Sequence, residues 1–153
     1  METISNLSFL TKSKGYVALL KLRLSSLVVM SAFFGYLLAG GDLESIIFLK
    51  LIVGGVFITG SSNGFNQIIE AKTDALMSRT SLRPIPSKIL NSFEAILFCS
   101  FIGVIGLYLL SEINMNSFML GLLAMVIYTL IYTPLKKITP FAVFIGAGPG
   151  SIP

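Results

Sequence analysis

An all-α, polytopic transmembrane helical bundle, with four full spans and the start of a fifth, is the architecture this chain encodes. Three observations point to it. Of 153 residues, 54% are apolar and only 12% charged, at a mean hydropathy of +0.88, which is more apolar surface than a water-soluble domain can hide. The apolar residues fall into runs close to the length of about 20 residues that a helix needs to cross a bilayer. The charges gather in the gaps between those runs. Together these exclude a soluble enzyme or a nucleic-acid binder and leave one membrane domain over 1–153, with lipid as its solvent.

The first run, 24–40 (LSSLVVMSAFFGYLLAG), is followed by an acidic loop at 41–45. The second covers 46–69 and carries glycines at 54, 55, 60 and 64, where a neighbouring helix can approach closely. The third is 93–110 and the fourth 118–133, with a polar turn at 111–117 between them. A fifth opens near 139 and is partial, reaching 153. Backbone amides in hydrocarbon must be paired within their own segment, so each run is read as helix. Residues 1–14 are polar and lack the apolar core and small-residue cleavage site of a secretory signal. They also lack an Arg- and Ser-rich leader, which favours a bacterial inner (cytoplasmic) membrane over an organellar one.

Charge fixes the expected orientation. Lys12, Lys14, Lys21 and Arg23 precede the first run, Lys72, Arg79, Arg83 and Lys88 lie between the second and third, and Lys136 and Lys137 follow the fourth. Ten of the eleven cations thus share one side, opposite Asp42, Glu44 and Glu112. By the positive-inside rule that side, with the N-terminus and the long second loop, faces the cytoplasm. Lys50 is the exception, placed where its long stem can snorkel to the outer interface. The lone Cys99 offers no intramolecular disulfide, and without histidine an imidazole-bound metal or haem is excluded for these residues.

Chemistry concentrates in NGFNQIIEAKTDALMSRTSLRPIPSKIL, residues 63–90. Asn66, Glu70 and Asp74 recur every fourth residue. If the second run continues as helix past the membrane, they stack on one face over roughly 12 Å. Carboxylates about 6 Å apart repel by about 3 kcal/mol at an effective dielectric near 20, a cost that a bound divalent cation reverses. Oxygen-only donors favour Mg²⁺, which completes its shell with water and phosphate. Arg79 and Arg83 follow, and guanidinium forks beside such a face point to a diphosphate. Lys136 and Lys137 can reach the same anion. Juxtamembrane charges also pair with one another and set topology without any chemistry, and spacing alone leaves both readings open. The closing GAGPGSIP follows no strand and is not read as a nucleotide loop.

At these residues the chain resembles the UbiA-type membrane prenyltransferases. Four phrases carry the resemblance: LLKLRLSSLVVMSAFFGYLLAG (19–40), with Leu22 where a proline is usual; NQIIEAKTDALMSRTSLRPIPSKIL (66–90), similar to the first acidic motif; YTPLKKITP (132–140); and FAVFIGAGPGSIP (141–153). The likeness is strongest to the members that farnesylate haem. It implies the N-terminal half of a UbiA-type fold, whose second acidic motif lies on a later helix. It further implies that Asn66, Glu70 and Asp74 hold Mg²⁺ on farnesyl diphosphate while Arg79, Arg83 and Lys136 steady the diphosphate. The farnesyl group would then pass to a vinyl group of haem B, giving haem O for haem A synthase or a terminal oxidase. Lys72 stands where many relatives carry a further acid. A quinone-precursor or chlorophyll-type acceptor, or a non-catalytic membrane protein or transporter fragment, is the alternative.

Overall fold

The structure, a computed structural model, describes residues 9–136 and Thr139. Apart from Thr139, the expected fifth span lies outside the described residues, as do Lys137 and GAGPGSIP. All regular structure within the described residues is helical.

The chain opens with α1, Phe9–Leu20, which the apolar runs did not foretell, and α2, Leu22–Leu38. Between them Lys21 adopts left-handed backbone angles, φ 46 and ψ 54, and the two helices bend by 41°. Helix α2 begins and ends two residues ahead of the expected run. Gly40, at φ 77, takes the left-handed conformation that commonly closes a helix.

Helix α3, Ile46–Asp74, has 29 residues, and the Ser45 side chain accepts from the Ile47 amide at 3.1 Å to cap its start. At about 1.5 Å per residue it outruns a hydrocarbon core of about 30 Å. Its last turns, which carry the acids, therefore continue beyond the apolar run as helix. Helix α4, Ser92–Ser111, starts with a capping box in which Asn91 and Glu94 satisfy each other's backbone amides. Helix α5, Met115–Val126, passes into a π-helical segment, Ile127–Tyr132, and then the single turn α6, Thr133–Leu135. Pro134 has no N–H to offer Leu130 in α register, and the wider π turn precedes it. The helices α3, α4 and Met115–Leu135 are each long and apolar enough to cross a membrane, and the bent α1–α2 pair makes a fourth crossing if it is one span.

Helix α3 is the hub, packed against α1, α2, α4 and α5 and most extensively against α4. Two glycines make that approach possible. A Cβ on Gly64 would collide with the Cys99 sulfur, and one on Gly106 would come within 3.0 Å of the Ile58 backbone nitrogen. At the end of the bundle that carries the second loop, Ile85 and Leu90 fold back onto Leu19, Ala95 and Cys99 to make a buried cluster. Lys12 of α1 pairs with Glu94 of α4 at 2.7 Å at the same end. At the opposite end Lys50 pairs with Glu112 at 3.4 Å, so this cation has a carboxylate partner besides any interface. Leu27, Phe101, Val104 and Leu130 remain exposed, an outer surface suited to acyl chains.

Candidate functional site

The helical continuation of α3 puts Asn66, Glu70 and Asp74 on one face, and the structure keeps that face inside. Asn66 and Asp74 are buried, and the Glu70 side chain is only 12% exposed. A juxtamembrane charge cluster can lie open to solvent. Here it is sequestered and cross-linked.

The links run along the face and across it. Asn66 Nδ2 donates to Glu70 Oε2 at 3.2 Å, so the amide and the first carboxylate are in contact. Lys136, at the end of α6, donates to Glu70 Oε1 at 2.8 Å and to Asn66 Oδ1 at 3.2 Å. Arg83 reaches up from the loop to pair with Asp74 Oδ2 and lies 4.0 Å from Glu70 Oε2. Two carboxylates and two cations thus balance.

The loop is built to deliver Arg83. Thr80 is buried and its hydroxyl donates to the Asp74 carbonyl at 3.0 Å, while the Arg83 amide donates to the Thr80 carbonyl at 3.0 Å. Pro84 and Ile85 are buried behind it. Arg79, by contrast, is exposed and has no side-chain partner among the described residues. The structure therefore gathers Asn66, Glu70, Asp74, Arg83 and Lys136 into one cluster and leaves Arg79 outside it. Lys72 is exposed and faces away from the buried column.

Sequence reasoning missed Thr133 and Gln67. The Thr133 Oγ1, fully buried, lies 3.0 Å from Asn66 Oδ1 and 2.8 Å from the Tyr128 carbonyl, so it ties the π segment to the acidic face. Its signal was the Thr-Pro step that breaks α register. Gln67 donates to the Leu19 carbonyl at 2.9 Å, which is free because the helix is interrupted at Lys21. It stands among several polar side chains of the second run, with Ser61, Ser62, Asn63 and Asn66, and nothing in the sequence singled it out.

Beside the cluster lies a cavity of about 590 Å³ between α2, α3 and α5. Its wall is mainly apolar, with Val28, Leu51 and Leu120 among the lining residues, whereas Asn63, Tyr128 and Tyr132 line the end nearest Asn66 and Thr133. That volume is in the range of small-molecule sites.

The donors available to a cation are one amide and two carboxylates, all oxygen. Among the described residues no three of His, Cys, Asp and Glu converge, so a closed protein cage is absent there. Such a set fits a hard cation that keeps water and phosphate in its shell, as Mg²⁺ does, and does not fit a zinc site.

A bundle of apolar spans around a buried amide–acid face, which two cations neutralise beside an apolar cavity, defines a multi-pass membrane protein with a charged site at one end. The chain belongs to the UbiA prenyltransferase family, whose sequence profile matches residues 28–153. It is 42% identical over 142 residues to a protoheme IX farnesyltransferase of Cytophaga hutchinsonii, covering 92% of this chain and 50% of that one. It is 42% identical over 133 residues to the protein of that name from Christiangramia forsetii, covering 87% of this chain and 44% of the relative. Over 142 residues it is 38% identical to a mitochondrial protoheme IX farnesyltransferase of Arabidopsis thaliana, covering 90% of this chain and 33% of that protein. The chain therefore spans half or less of these relatives' length. No solved structure matches it.

Proposed function

We propose that this chain forms the diphosphate-binding half of an Mg²⁺-dependent protoheme IX farnesyltransferase, which moves a farnesyl group from farnesyl diphosphate to a vinyl group of haem B and yields haem O. The observation that carries the reading is the buried face of Asn66, Glu70 and Asp74, bridged by Arg83 and Lys136 beside an apolar cavity. The names of the relatives support the choice of donor and acceptor.

Asn66, Glu70 and Asp74 would hold the cation, and Mg²⁺ when bound would neutralise the diphosphate so that it leaves more readily. Arg83 and Lys136, which pair with the acids in the structure, would turn toward phosphate oxygens. Exposed Arg79 would meet the diphosphate from the solvent side. The apolar cavity would take the isoprenoid chain and keep water from the reacting carbon. The allylic C–O bond breaks with its electron pair leaving on diphosphate, and the haem vinyl carbon attacks the farnesyl cation. Water adds to the cation so formed and loses a proton, leaving a hydroxyethylfarnesyl side chain. Preplaced cations lower this barrier because they meet charge that grows on the leaving oxygens. The remaining half of the fold would supply the facing acidic motif and the haem contacts. The positive-inside distribution supports a site at the cytoplasmic face of the inner membrane, with haem A synthase or a terminal oxidase as the recipient of haem O.

The test is a chimera in which this chain replaces the corresponding half of the Cytophaga hutchinsonii relative, with extracted haems identified by mass spectrometry. Haem O that depends on added Mg²⁺ is expected. A prenylated quinone precursor or chlorophyll-type product in its place would reassign the acceptor, and no prenylated product from an inserted chimera would overturn the reading.

A further inference from the structure

The break between α1 and α2 is pinned on one side and open on the other. Lys21 is a non-glycine residue held at φ 46 and ψ 54, a conformation that costs an L side chain on the order of 1 kcal/mol or more. On its inner side the break is tied to α3. Leu19 O accepts from Gln67 at 2.9 Å, Leu20 O accepts from Ser25 Oγ at 2.7 Å, and Asn63 Nδ2 donates to that same Ser25 oxygen at 3.3 Å. On its outer side lies a groove of about 490 Å³. Lys21, Leu22, Arg23 and Leu24 all line it, although four consecutive residues of an unbroken helix would point around its whole circumference. The left-handed turn at Lys21 gathers them around one groove, against Val17 and Ala18 of α1, and Leu27 continues the wall along α2.

Two kinds of surface meet in this groove. Val17, Leu22, Leu24 and Leu27 are exposed apolar side chains, whereas Arg23 is an exposed cation and Lys21 a half-buried one. Among the described residues neither cation has an ion-pair partner, since the carboxylates that meet cations are engaged by Lys12, Lys50, Arg83 and Lys136. The neighbouring sequence supplies none either: residues 3–41 hold four cations and no acid. The groove also lies at the bundle end that carries the second loop, because Leu19 clusters with Ile85 and Leu90 and Lys12 pairs with Glu94. The chain's cations gather on that side, and a basic pocket with apolar walls at such an end suits the head group and tail of an anionic lipid.

We propose that the groove is a binding site for one anionic phospholipid, whose phosphate is met by Lys21 and Arg23 and whose acyl chain lies along Leu22, Leu24 and Leu27. Charge and shape both select this occupant. A free anion would leave the apolar wall uncovered, and a zwitterionic lipid would bring its own cation to the two already present. The Arg23 guanidinium can fork two phosphate oxygens, and the compact Lys21 ammonium can contact another. The groove shares only Leu24 with the cavity beside the acidic face, so the inference stands apart from the diphosphate reading. A lipid seated there would brace α1 against α2 at the break whose carbonyls α3 and Ser25 hold.

The experiment is native mass spectrometry of the full chain released from detergent and titrated with phosphatidylglycerol or with phosphatidylcholine of the same acyl chains. Wild type is compared with the double variant Lys21→Gly, Arg23→Gln and with Lys14→Gln, whose exposed side chain lies outside the groove. Wild type should hold one phosphatidylglycerol about tenfold more tightly than phosphatidylcholine. Lys14→Gln should keep that preference. The double variant, in which glycine retains the left-handed backbone, should reduce it to within about twofold. Equal affinity for the two lipids in wild type, or an undiminished preference in the double variant, would overturn the inference. If the double variant fails to fold, Arg23→Gln and Arg23→Lys decide. A preference weakened in the first and kept in the second supports the charge role, and the same preference in both refutes it. Two other occupants are read from the same titrations. Displacement of phosphatidylglycerol by millimolar inorganic phosphate would make the site one for a free anion. Loss of the preference in the chimera with the Cytophaga hutchinsonii half would show the rest of the fold seated in the groove. Either result overturns the lipid site and leaves the functional reading untouched.

Discussion

Lys136 Nζ lies 2.8 Å from Glu70 Oε1, a contact that joins the end of the π-interrupted helix to the middle of the acidic face. The same nitrogen reaches Asn66 Oδ1 at 3.2 Å, so one cation holds two neighbouring donors. Replacing Lys136 with methionine in the chimera should lower haem O formation by at least about tenfold while membrane insertion persists. Haem extraction and membrane fractionation check the two halves of that statement.

Asp74→Asn leaves the shape of the side chain and removes its charge. Arg83 then loses its principal partner, and haem O formation should vanish although the protein still inserts. Wild-type haem O in this variant would remove the proposed metal role of Asp74.

Arg79 and Arg83 should separate cleanly. Arg83 is partly buried and paired, whereas Arg79 is exposed, so Arg79→Ala should leave thermal stability within about 0.5 kcal/mol of wild type. Arg83→Ala leaves the buried Asp74 uncompensated and should destabilise by about 3 kcal/mol. Pyrophosphate affinity should fall in both.

Thr133→Val deletes the hydroxyl that lies 3.0 Å from Asn66 Oδ1 and keeps the volume. It should cost about 1–3 kcal/mol in melting experiments, and Thr133→Ser, which retains the oxygen, should recover most of it.

The Gly64–Cys99 approach gives a packing test. Gly64→Ala places a methyl against the Cys99 sulfur and should destabilise by about 1–3 kcal/mol. Adding Cys99→Ala should restore part of the loss, and a double-mutant cycle measures how much.

Much of this was legible in composition and spacing. The apolar runs overlap α2, α3, α4 and the Met115–Leu135 stretch, of which α5 is only the first part, because hydrocarbon demands long apolar helices and charge is tolerated only between them. The four-residue repeat placed Asn66, Glu70 and Asp74 on one face because α3 does remain helical to Asp74. Helix α1 was hidden since Lys12 and Lys14 interrupt its apolar pattern, and the break at Lys21 has no glycine or proline to announce it. The separation of Arg79 from Arg83 depends on how Thr80, Pro84 and Ile85 fold the loop inward, a tertiary matter that spacing does not encode. The π segment likewise follows from Pro134 together with the Thr133–Asn66 contact, and only the proline is visible in one dimension.

The polar belt of α3 bears on how the protein is made. Ser61, Asn63 and Gln67 would each face unfavourable hydrocarbon if that helix entered the bilayer by itself. The acceptors for Asn63 and Gln67, Ser25 Oγ and the Leu19 carbonyl, belong to the preceding segment, which leaves the ribosome first. Ser61 waits for the Cys99 carbonyl, which arrives with the next span. Synthesis from the N-terminus thus supplies the acceptors of Asn63 and Gln67 before α3 needs them, whereas Ser61 and Asn66 are completed only by segments made later.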